Sequence, residues 1–225
     1  MQKYPIFLSL RDFQVLVVGA GSVGKRKITA LCKCGAGDIL VLDPGLPPSH
    51  AKDLADLPNV RVECRSVCEE DVRGKLLVFA ATNDKAENGR IGAMCTALKV
   101  PCNIVDDPES STFHVPARTR AAGIAAAFSS DGKSPALAKR IKDDAGGWLE
   151  ANYGPLLRFM ARLRPLVLAL GEETENNTFI FRAVTYSRLG EVLAEGDLDA
   201  AREIAEAVLP ESLHKHIEEL LHGTG

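Results

Sequence analysis

The amino-acid sequence predicts an α/β protein with a doubly wound parallel sheet, followed by a small α+β region and a helical C-terminal domain. Three observations lead to this prediction. Short apolar runs alternate with helical segments through the first half of the chain. A glycine-rich G-x-G-x-x-G sequence connects the first apolar run to the first helical segment. Beyond about residue 147, apolar residues recur at helical spacing instead.

The first half is expected to contain five strands, separated by helices or loops. The strands are predicted at Phe13–Val18, Ile39–Leu42, Val60–Cys64, Leu76–Ala81 and Cys102–Val105, and the helices at 23–34, 49–57 and 85–98. Polarity alternates along Val60–Cys64, which indicates a partly exposed strand. Leu76–Ala81 is apolar on both faces and indicates a central one. This alternation of strands and helices, together with the glycine sequence, is typical of a Rossmann fold.

The second half is expected to begin differently. A strand is predicted at Gly123–Phe128, and Ser134 and Pro135 are expected to be the N-cap and first residue of a helix over 136–142. Gly146–Gly147 is interpreted as a domain boundary. Further on, a strand at Thr178–Phe181 is considered, and other segments are predicted as helices. These include the apolar stripe Leu156, Met160, Leu163 and Val167, with a kink expected at Pro165, and a helix from Asp199 capped by Asp197 or Asp199.

The glycine sequence is predicted to bind a dinucleotide. Gly19 permits a tight turn after the strand, Gly21 lets the backbone approach a pyrophosphate, and Gly24 allows the helix to pack on the strand. Ser22 and Val23 belong to the helix start, where free amides face an anion. The alternative is a glycine turn that merely bends the chain.

An acidic residue follows the second predicted strand. Asp43 lies close to the spacing at which dinucleotide folds place an acid on the adenosine ribose hydroxyls. Because a carboxylate repels a 2′-phosphate and no Arg directly follows it, Asp43 favours NAD over NADP. Thr82 and Asn83, after the fourth strand, are predicted to line the nicotinamide site or to cap the next helix. Asp84 is interpreted as the helix cap.

The strand at Cys102–Val105 is followed by two acids, Asp106 and Asp107. A carboxylate at this end of the sheet could take a proton while NAD takes a hydride. The residues alone are equally compatible with a turn at Asp107–Pro108 in which Asp106 acts as a cap.

Composition limits the classes of function. The chain has 225 residues, 46% of them hydrophobic, and a net charge of -3, which argues against a general nucleic-acid or membrane-surface role. It shows no signal peptide and no run of 18 apolar residues, so a cytoplasmic location is expected. The six cysteines lack paired C-x-x-C spacing and are interpreted as reduced thiols, and no metal-ligand set is predicted.

Several motifs occur in one order over about 140 residues, and that order is more specific than any single motif. They are Tyr4–Leu8 with Leu10-Arg11, Val17–Lys27, Ala80–Asp84, Cys102–Pro108, Phe113, Pro116-Ala117, Ser129-Ser130 and Ser134–Ala136. In these motifs the sequence resembles the precorrin-2 dehydrogenase and sirohydrochlorin ferrochelatase family, which includes the amino-terminal module of siroheme synthases.

This resemblance implies NAD-dependent oxidation of precorrin-2 to sirohydrochlorin, followed in some members by insertion of Fe²⁺, with Co²⁺ as another candidate metal. The family's essential aspartate matches Asp106, and Ser130 matches a position at the substrate cleft. The resemblance also implies a homodimer formed through the region after the Rossmann unit. The expected domains are an NAD-binding domain over 1–115, a dimerisation region over 116–146 and a helical domain over 147–225.

The substrate carries many carboxylates, so hydrogen-bond donors are expected around it. The candidates are Asn103, Arg118, Arg120, Ser129, Ser130, Lys133 and Ser134. Each Arg or Lys could equally be a surface charge. The sequence departs from the family at Asp131, where glycine or another uncharged residue is common; this puts anion binding by the loop in doubt.

Two other functions are considered. A nucleotide-sensing regulatory domain would share the glycine sequence and the Ala-Thr-Asn-Asp strand end, but it gives no reason for the motifs beyond residue 102. A dehydrogenase of a small hydroxy or amino acid would need an Arg/His pair near the crevice, and none stands out.

Overall fold

The computed structural model describes residues 4–171 and 173–224, which form two compact units that divide between Val115 and Pro116. Residues 1–3, 172 and 225 belong to the predicted domains but lie outside the described residues. The predicted fold class is confirmed: a parallel α/β sheet is followed by a two-stranded hairpin and a run of helices.

The first unit is a five-stranded parallel sheet with helices between its strands. The strands are β1 (Gln14–Val18), β2 (Asp38–Leu42), β3 (Val60–Glu63), β4 (Leu77–Ala80) and β5 (Cys102–Ile104), in the spatial order β3-β2-β1-β4-β5. The helices are α1 (Ser22–Lys33), α2 (Pro48–Ala55), α3 (Glu69–Val72) and α4 (Lys85–Ala97). The chain reverses its direction of strand addition between β1 and β4, where doubly wound folds bind ligands beyond the carboxyl ends of the strands.

Burial explains most of this arrangement. Side chains of β1 alternate between two cores, with Val15 and Val17 in one and Leu16 and Val18 in the other. A strand covered on both faces is apolar, as β4 is throughout and as β1 and β2 are after their polar first residues, Gln14 and Asp38. The partly exposed β3 lies at the sheet edge, as expected. The prediction that β4 is an inner strand is confirmed, because it lies between β1 and β5 and all four of its residues are buried.

In its described residues, 116–171 and 173–224, the second unit contains a hairpin and six helices. The hairpin pairs β6 (Ala117–Ala121) with β7 (Ile124–Phe128) in antiparallel fashion. The helices are α5 (Pro135–Ala169), α6 (Thr174–Tyr186), α7 (Leu189–Glu195), α8 (Leu198–Val208), α9 (Glu211–His214) and α10 (Ile217–Leu221). The predicted caps are confirmed: Ser134 accepts a hydrogen bond from Leu137 N, and Asp197 accepts one from Ala200 N.

Two predictions about the second unit are wrong. The expected boundary at Gly146–Gly147 lies inside α5, which continues through both glycines and through Pro155 and Pro165 to Ala169. A Cβ added at Gly146 would lie 2.9 Å from Thr119 Oγ1, so this glycine permits close packing of the helix on β6 rather than ending the helix. The strand considered at Thr178–Phe181 is also helical, within α6.

Tertiary packing explains why both of these segments are helical. Leu163 and Val167 are fully buried in the core of the second unit, and Leu156 and Met160 pack against that core, which confirms the predicted apolar stripe. Ile180 of α6 is buried in the same core. Burial of such a face stabilises a helix by more than a glycine or a β-branched residue weakens it. Within the described ranges, no helix is long and apolar enough to cross a membrane.

Candidate active site

The glycine loop joins β1 to α1 by a close approach of three backbone segments. Gly19 has a φ of +92°, and a Cβ there would lie 2.5 Å from the carbonyl oxygen of Ala81. A Cβ on Gly24 would lie 1.9 Å from the carbonyl oxygen of Gly19. Both positions therefore need glycine for the fold of the loop itself.

Gly21 differs from these two glycines. A Cβ added there would meet nothing within 4 Å, so no protein packing requires a glycine. Gly21 is also the N-cap residue of α1, and no side chain caps this end of the helix. Ser22 and Val23 are the first two residues of the helix. The open space and uncapped amides fit a pyrophosphate better than they fit any contact within the chain.

A cavity of about 640 Å³ lies beside this loop. Its volume is within the range of small-molecule and cofactor sites. The loops that follow β1, β2 and β4 line it, together with part of α4 and the segment after β3. The lining residues are Val18–Gly21, Asp43–Pro47, His50, Ser66, Val67, Ala81–Asp84, Glu87 and Arg90.

Asp43 lies in the wall of this cavity, at the end of β2. Its Oδ2 accepts a hydrogen bond of 2.8 Å from Ala20 N, and its Oδ1 accepts one of 2.9 Å from Gly45 N. The carboxylate is thereby fixed beside the glycine loop. Each carboxylate oxygen can accept a second hydrogen bond, so both remain able to accept one from a ligand hydroxyl.

Thr82 and Asn83 also line the cavity, at the end of β4. The Thr82 hydroxyl lies 2.7 Å from Asn88 Oδ1 and 3.0 Å from the carbonyl oxygen of Asp84, whereas Asn83 is exposed. Asp84 caps α4 by accepting hydrogen bonds from Ala86 N and Glu87 N, which confirms its interpretation as a cap.

Asp106 lies exposed in the turn after β5, and it does not line the cavity. Its Oδ1 accepts a hydrogen bond of 3.0 Å from Nδ2 of Asn88, a buried residue of α4. The same Nδ2 donates to the carbonyl oxygen of Thr82 at 3.1 Å. Asp106 is thus connected through one side chain to a residue of the cavity wall.

The neighbouring residues hold the chain after β5 in place. Asn103 donates to the carbonyl oxygen of Phe113 at 3.1 Å, so this predicted substrate donor has a partner inside the unit. Ser111 is buried; its Oγ accepts from Ile104 N and lies 2.8 Å from the Asp107 carbonyl oxygen. These bonds fix the turn that carries Asp106.

The remaining candidates lie in the second unit. Arg118 and Arg120 are exposed and share one face of β6, while Thr119 between them faces α5. In the register of the hairpin, the exposed Ala127 and Ala125 lie opposite the two arginines. The residues opposite the two arginines on this face are therefore small.

The loop from Ser129 to Ser134 is closed by its own hydrogen bonds. Ser129 Oγ accepts from Asp131 N, Ser130 Oγ accepts from Ser134 N, and Lys133 is exposed. Asp131 has a φ of +50°, in the left-handed region that favours glycine and that aspartate also tolerates. This conformation explains how aspartate can stand where glycine is common.

Sequence reasoning did not identify several residues of this site: His50, Ser66, Asn88 and Arg90. Arg90 pairs with Glu87 at 2.7 Å and donates to the carbonyl oxygen of Val67 at 3.1 Å. The hydrogen bonds from Arg90 hold the pKa of Glu87 below its ordinary value. One feature of the sequence could have identified Asn88: it lies one turn into the helix that follows Thr82.

Comparisons with known proteins agree with this geometry. A family of NAD(P)-binding domains matches residues 6–117. The chain is 35% identical to a siroheme synthase of Methylobacillus flagellatus over 93% of its own length and 44% of that protein. It is 31% identical to siroheme synthase 3 of Aeromonas hydrophila over 100% of this chain and 48% of that one.

A solved structure is also similar. It is that of SirC, described as a precorrin-2 dehydrogenase, with a TM-score of 0.69 and 26% identity. The similarity covers 92% of this chain and 98% of SirC. By contrast, the chain spans about half the length of the siroheme synthases it matches.

Proposed function

Because the chain belongs to the family of precorrin-2 dehydrogenases and the matching half of siroheme synthases, we propose that it oxidises precorrin-2 to sirohydrochlorin with NAD⁺. The reaction removes a hydride and a proton from the macrocycle and yields NADH and H⁺. The observation that carries the proposal is the connection of Asp106, through Asn88, to Thr82 in the wall of the cavity beside the glycine loop.

The first unit supplies the cofactor site. Gly19, Gly21 and Gly24 shape the loop, and the amides of Ser22 and Val23 at the uncapped start of α1 would hold the pyrophosphate. Bound NAD⁺ supplies the hydride acceptor. Thr82 and Asn83 would lie against its nicotinamide end. Asp43, fixed by two backbone amides, would accept hydrogen bonds from the ribose hydroxyls and disfavour a 2′-phosphate.

Asp106 is the proposed general base. Its exposed carboxylate can reach a bulky substrate, and Oδ2 has no protein partner within the described residues. A carboxylate placed in this way can accept the proton that leaves a macrocycle carbon as the hydride departs. The proton then passes to solvent, which regenerates the base.

The substrate's carboxylates need cationic and hydrogen-bonding partners. We assign them to Arg118 and Arg120, whose side chains share one exposed face of the hairpin, with Asn103, Ser129, Ser130, Lys133 and Ser134 as further donors. A guanidinium group binds a carboxylate with two parallel hydrogen bonds, and two arginines on one strand face could engage neighbouring carboxylates.

We also propose a homodimer interface in the region that follows the NAD-binding domain over 1–115, formed from residue 116 onward and extending along α5. Each strand of the two-stranded hairpin has one edge without a strand partner in the described structure. On α5, Leu137, Ile141 and Trp148 are spaced four and seven residues apart, so they share one helix face, and all three are exposed. A second copy would bury this apolar stripe.

Metal insertion is a second proposed step, with Fe²⁺ or Co²⁺ as a substrate. Its support is the siroheme product in the names of the relatives. Asp106 would then help to remove pyrrole protons.

The test is an assay of the purified protein with precorrin-2 and NAD⁺, in which NADH and the spectrum of the macrocycle are followed together. We expect one NADH per sirohydrochlorin formed. Addition of Fe²⁺ or Co²⁺ then tests chelation through a further spectral change. Binding of NAD⁺ without any NADH formation would refute the dehydrogenase and favour a nucleotide sensor, and turnover of a small hydroxy acid instead would indicate another dehydrogenase.

A further inference from the structure

We propose that Asn88 is a positioning residue that couples the proton acceptor Asp106 to Thr82 in the wall of the cofactor cavity. This inference deepens the proposed function and rests on it for the role of Asp106. It concerns a residue of α4 that neither touches the cavity nor reaches the solvent.

The side-chain amide of Asn88 is fully used. Its Nδ2 donates to the carbonyl oxygen of Thr82 at 3.1 Å and to Asp106 Oδ1 at 3.0 Å. Its Oδ1 accepts from Thr82 N at 3.1 Å and lies 2.7 Å from the Thr82 hydroxyl. An amide offers two donor hydrogens and two acceptor lone pairs, so all four positions have a partner.

These partners also determine which way the amide faces. A flipped amide would place its NH₂ group against Thr82 N and its oxygen against the Thr82 carbonyl oxygen, which would lose both backbone hydrogen bonds. Thr82 therefore forces a donor toward Asp106. At 1% exposure, Asn88 has no water to replace a lost partner.

Asp106 depends on this contact for its orientation. Within residues 4–171 and 173–224, Asn88 is its only side-chain partner, and the carboxylate is otherwise exposed. An unrestrained carboxylate would rotate about its side-chain bonds. The Asn88 bond fixes Oδ1 and leaves Oδ2 to accept a proton, which is the kind of positioning on which reaction rates depend strongly.

Two substitutions remove different parts of this arrangement. Asn88→Asp keeps the oxygen that accepts from Thr82 N but replaces Nδ2, the donor to both Asp106 and the Thr82 carbonyl oxygen, with a second carboxylate oxygen. Two carboxylates in contact cannot both be ionised easily, so Asp106 is displaced or shares a proton. Asn88→Ala removes all four hydrogen bonds of the side-chain amide. Ile91→Val, also on α4 and fully buried, loses one core methyl group and controls for destabilisation.

The experiment measures kcat with precorrin-2, and the dissociation constant for NAD⁺ without substrate. We expect Asn88→Asp to lower kcat by about 10-fold or more while the NAD⁺ dissociation constant changes by less than about threefold. Asn88→Ala should impair both, and Ile91→Val neither. An Asn88→Asp variant with the kcat of the unsubstituted protein would overturn the inference, as would an equal loss in Ile91→Val.

A second measurement needs no turnover. The double variant Asn88→Asp with Asp106→Asn reverses donor and acceptor and restores the hydrogen bond between residues 88 and 106, but not the one to the Thr82 carbonyl oxygen. We expect Asn88→Asp alone to lower the unfolding midpoint by about 3 °C or more, and the double variant to recover the part of that loss that comes from the contact with residue 106. Additive losses would refute the coupling itself. An inactive but properly coupled protein would instead refute the proposed function.

Discussion

The backbone amide of Ala20 donates a hydrogen bond of 2.8 Å to Oδ2 of Asp43. The acid at the end of β2 therefore does more than face the cavity, because it fastens the middle of the glycine loop to the neighbouring strand. A substitution at Asp43 is expected to act on both the loop and any ligand hydroxyls it would bind.

We predict that Asp43→Ala weakens NAD⁺ binding about 10- to 100-fold, because hydrogen bonds to a charged group contribute about 1.5–3 kcal/mol each. NADP⁺ binding should weaken less, because the charge that opposes the 2′-phosphate is gone. Titrations of Asp43→Ala and Asp43→Asn with both cofactors measure the ratio of the NAD⁺ and NADP⁺ dissociation constants. An unchanged preference in Asp43→Ala would remove Asp43 from cofactor selection.

Substitutions of Gly21 and Gly24, the two glycines at the start of α1, should have different effects. Gly21→Ala places a methyl group where nothing lies within 4 Å, so the midpoint of unfolding should be unchanged while NAD⁺ binding is lost. Gly24→Ala places it 1.9 Å from the carbonyl oxygen of Gly19, so the fold itself should be destabilised by about 1–3 kcal/mol. Thermal unfolding and cofactor titration separate the two effects. Equal stability losses would contradict the assignment of Gly21 to the ligand.

Asp106→Asn should lower kcat by about 10²- to 10⁴-fold, as expected for loss of a general base. The NAD⁺ dissociation constant should stay within about threefold, because Asp106 does not line the cavity. Asp107→Asn is the matched control. Hydrogen bonds from Ser110 hold the pKa of Asp107 below its ordinary value, which indicates a structural role in the turn. Full activity of Asp106→Asn would exclude it as the base.

Acid should destabilise the first unit through Asp71. Two hydrogen bonds of 2.7 Å from Arg65, assisted by the amide of Cys68, hold the pKa of Asp71 well below its ordinary value of 3.8. Because the folded pKa is the lower one, this stabilisation is present above about pH 4 and is lost as the pH falls further. Asp71→Asn should be less stable at neutral pH, with a shallower decline in acid.

Urea unfolding between pH 7 and pH 2.5 measures this difference. Asp53→Asn, an exposed change on α2, serves as the control and should follow the unsubstituted protein. Parallel curves for Asp71→Asn and the unsubstituted protein would show that the pair does not control acid stability.

The proposed dimer can be tested on the exposed face of α5. Ile141→Asp and Trp148→Asp place charges in the apolar stripe and should convert a dimer to monomers at micromolar concentrations, as measured by analytical ultracentrifugation. Phe179→Asp, on the exposed surface of α6, should leave the oligomeric state unchanged. A monomeric unsubstituted protein, or a dimer that survives both α5 substitutions, would refute this interface.

The local pattern was enough to predict the elements of the first unit to within a residue or two, except the short helix α3, which it missed. Strands β1, β2 and β4 are largely apolar runs, and Gly19 and Asp43 mark the ends of the first two. The same pattern wrongly predicted a boundary at Gly146–Gly147 and a strand at Thr178–Phe181, and it did not predict β6. In those segments local preference is weak, and the final conformation depends on burial against a distant partner.

The sequence by itself determined the parallel α/β class, the glycine loop, and Asp43 and Asp106 as acids after strand ends, because each depends on a short spacing or a hydrophobic period. The tertiary structure alone decided why Gly146 must be small, and that Asn88 joins Thr82 to Asp106. Residues 82, 88 and 106 are brought together by packing of α4 beside β4 and β5. No local preference encodes a contact of that kind, since it depends on how separate elements pack.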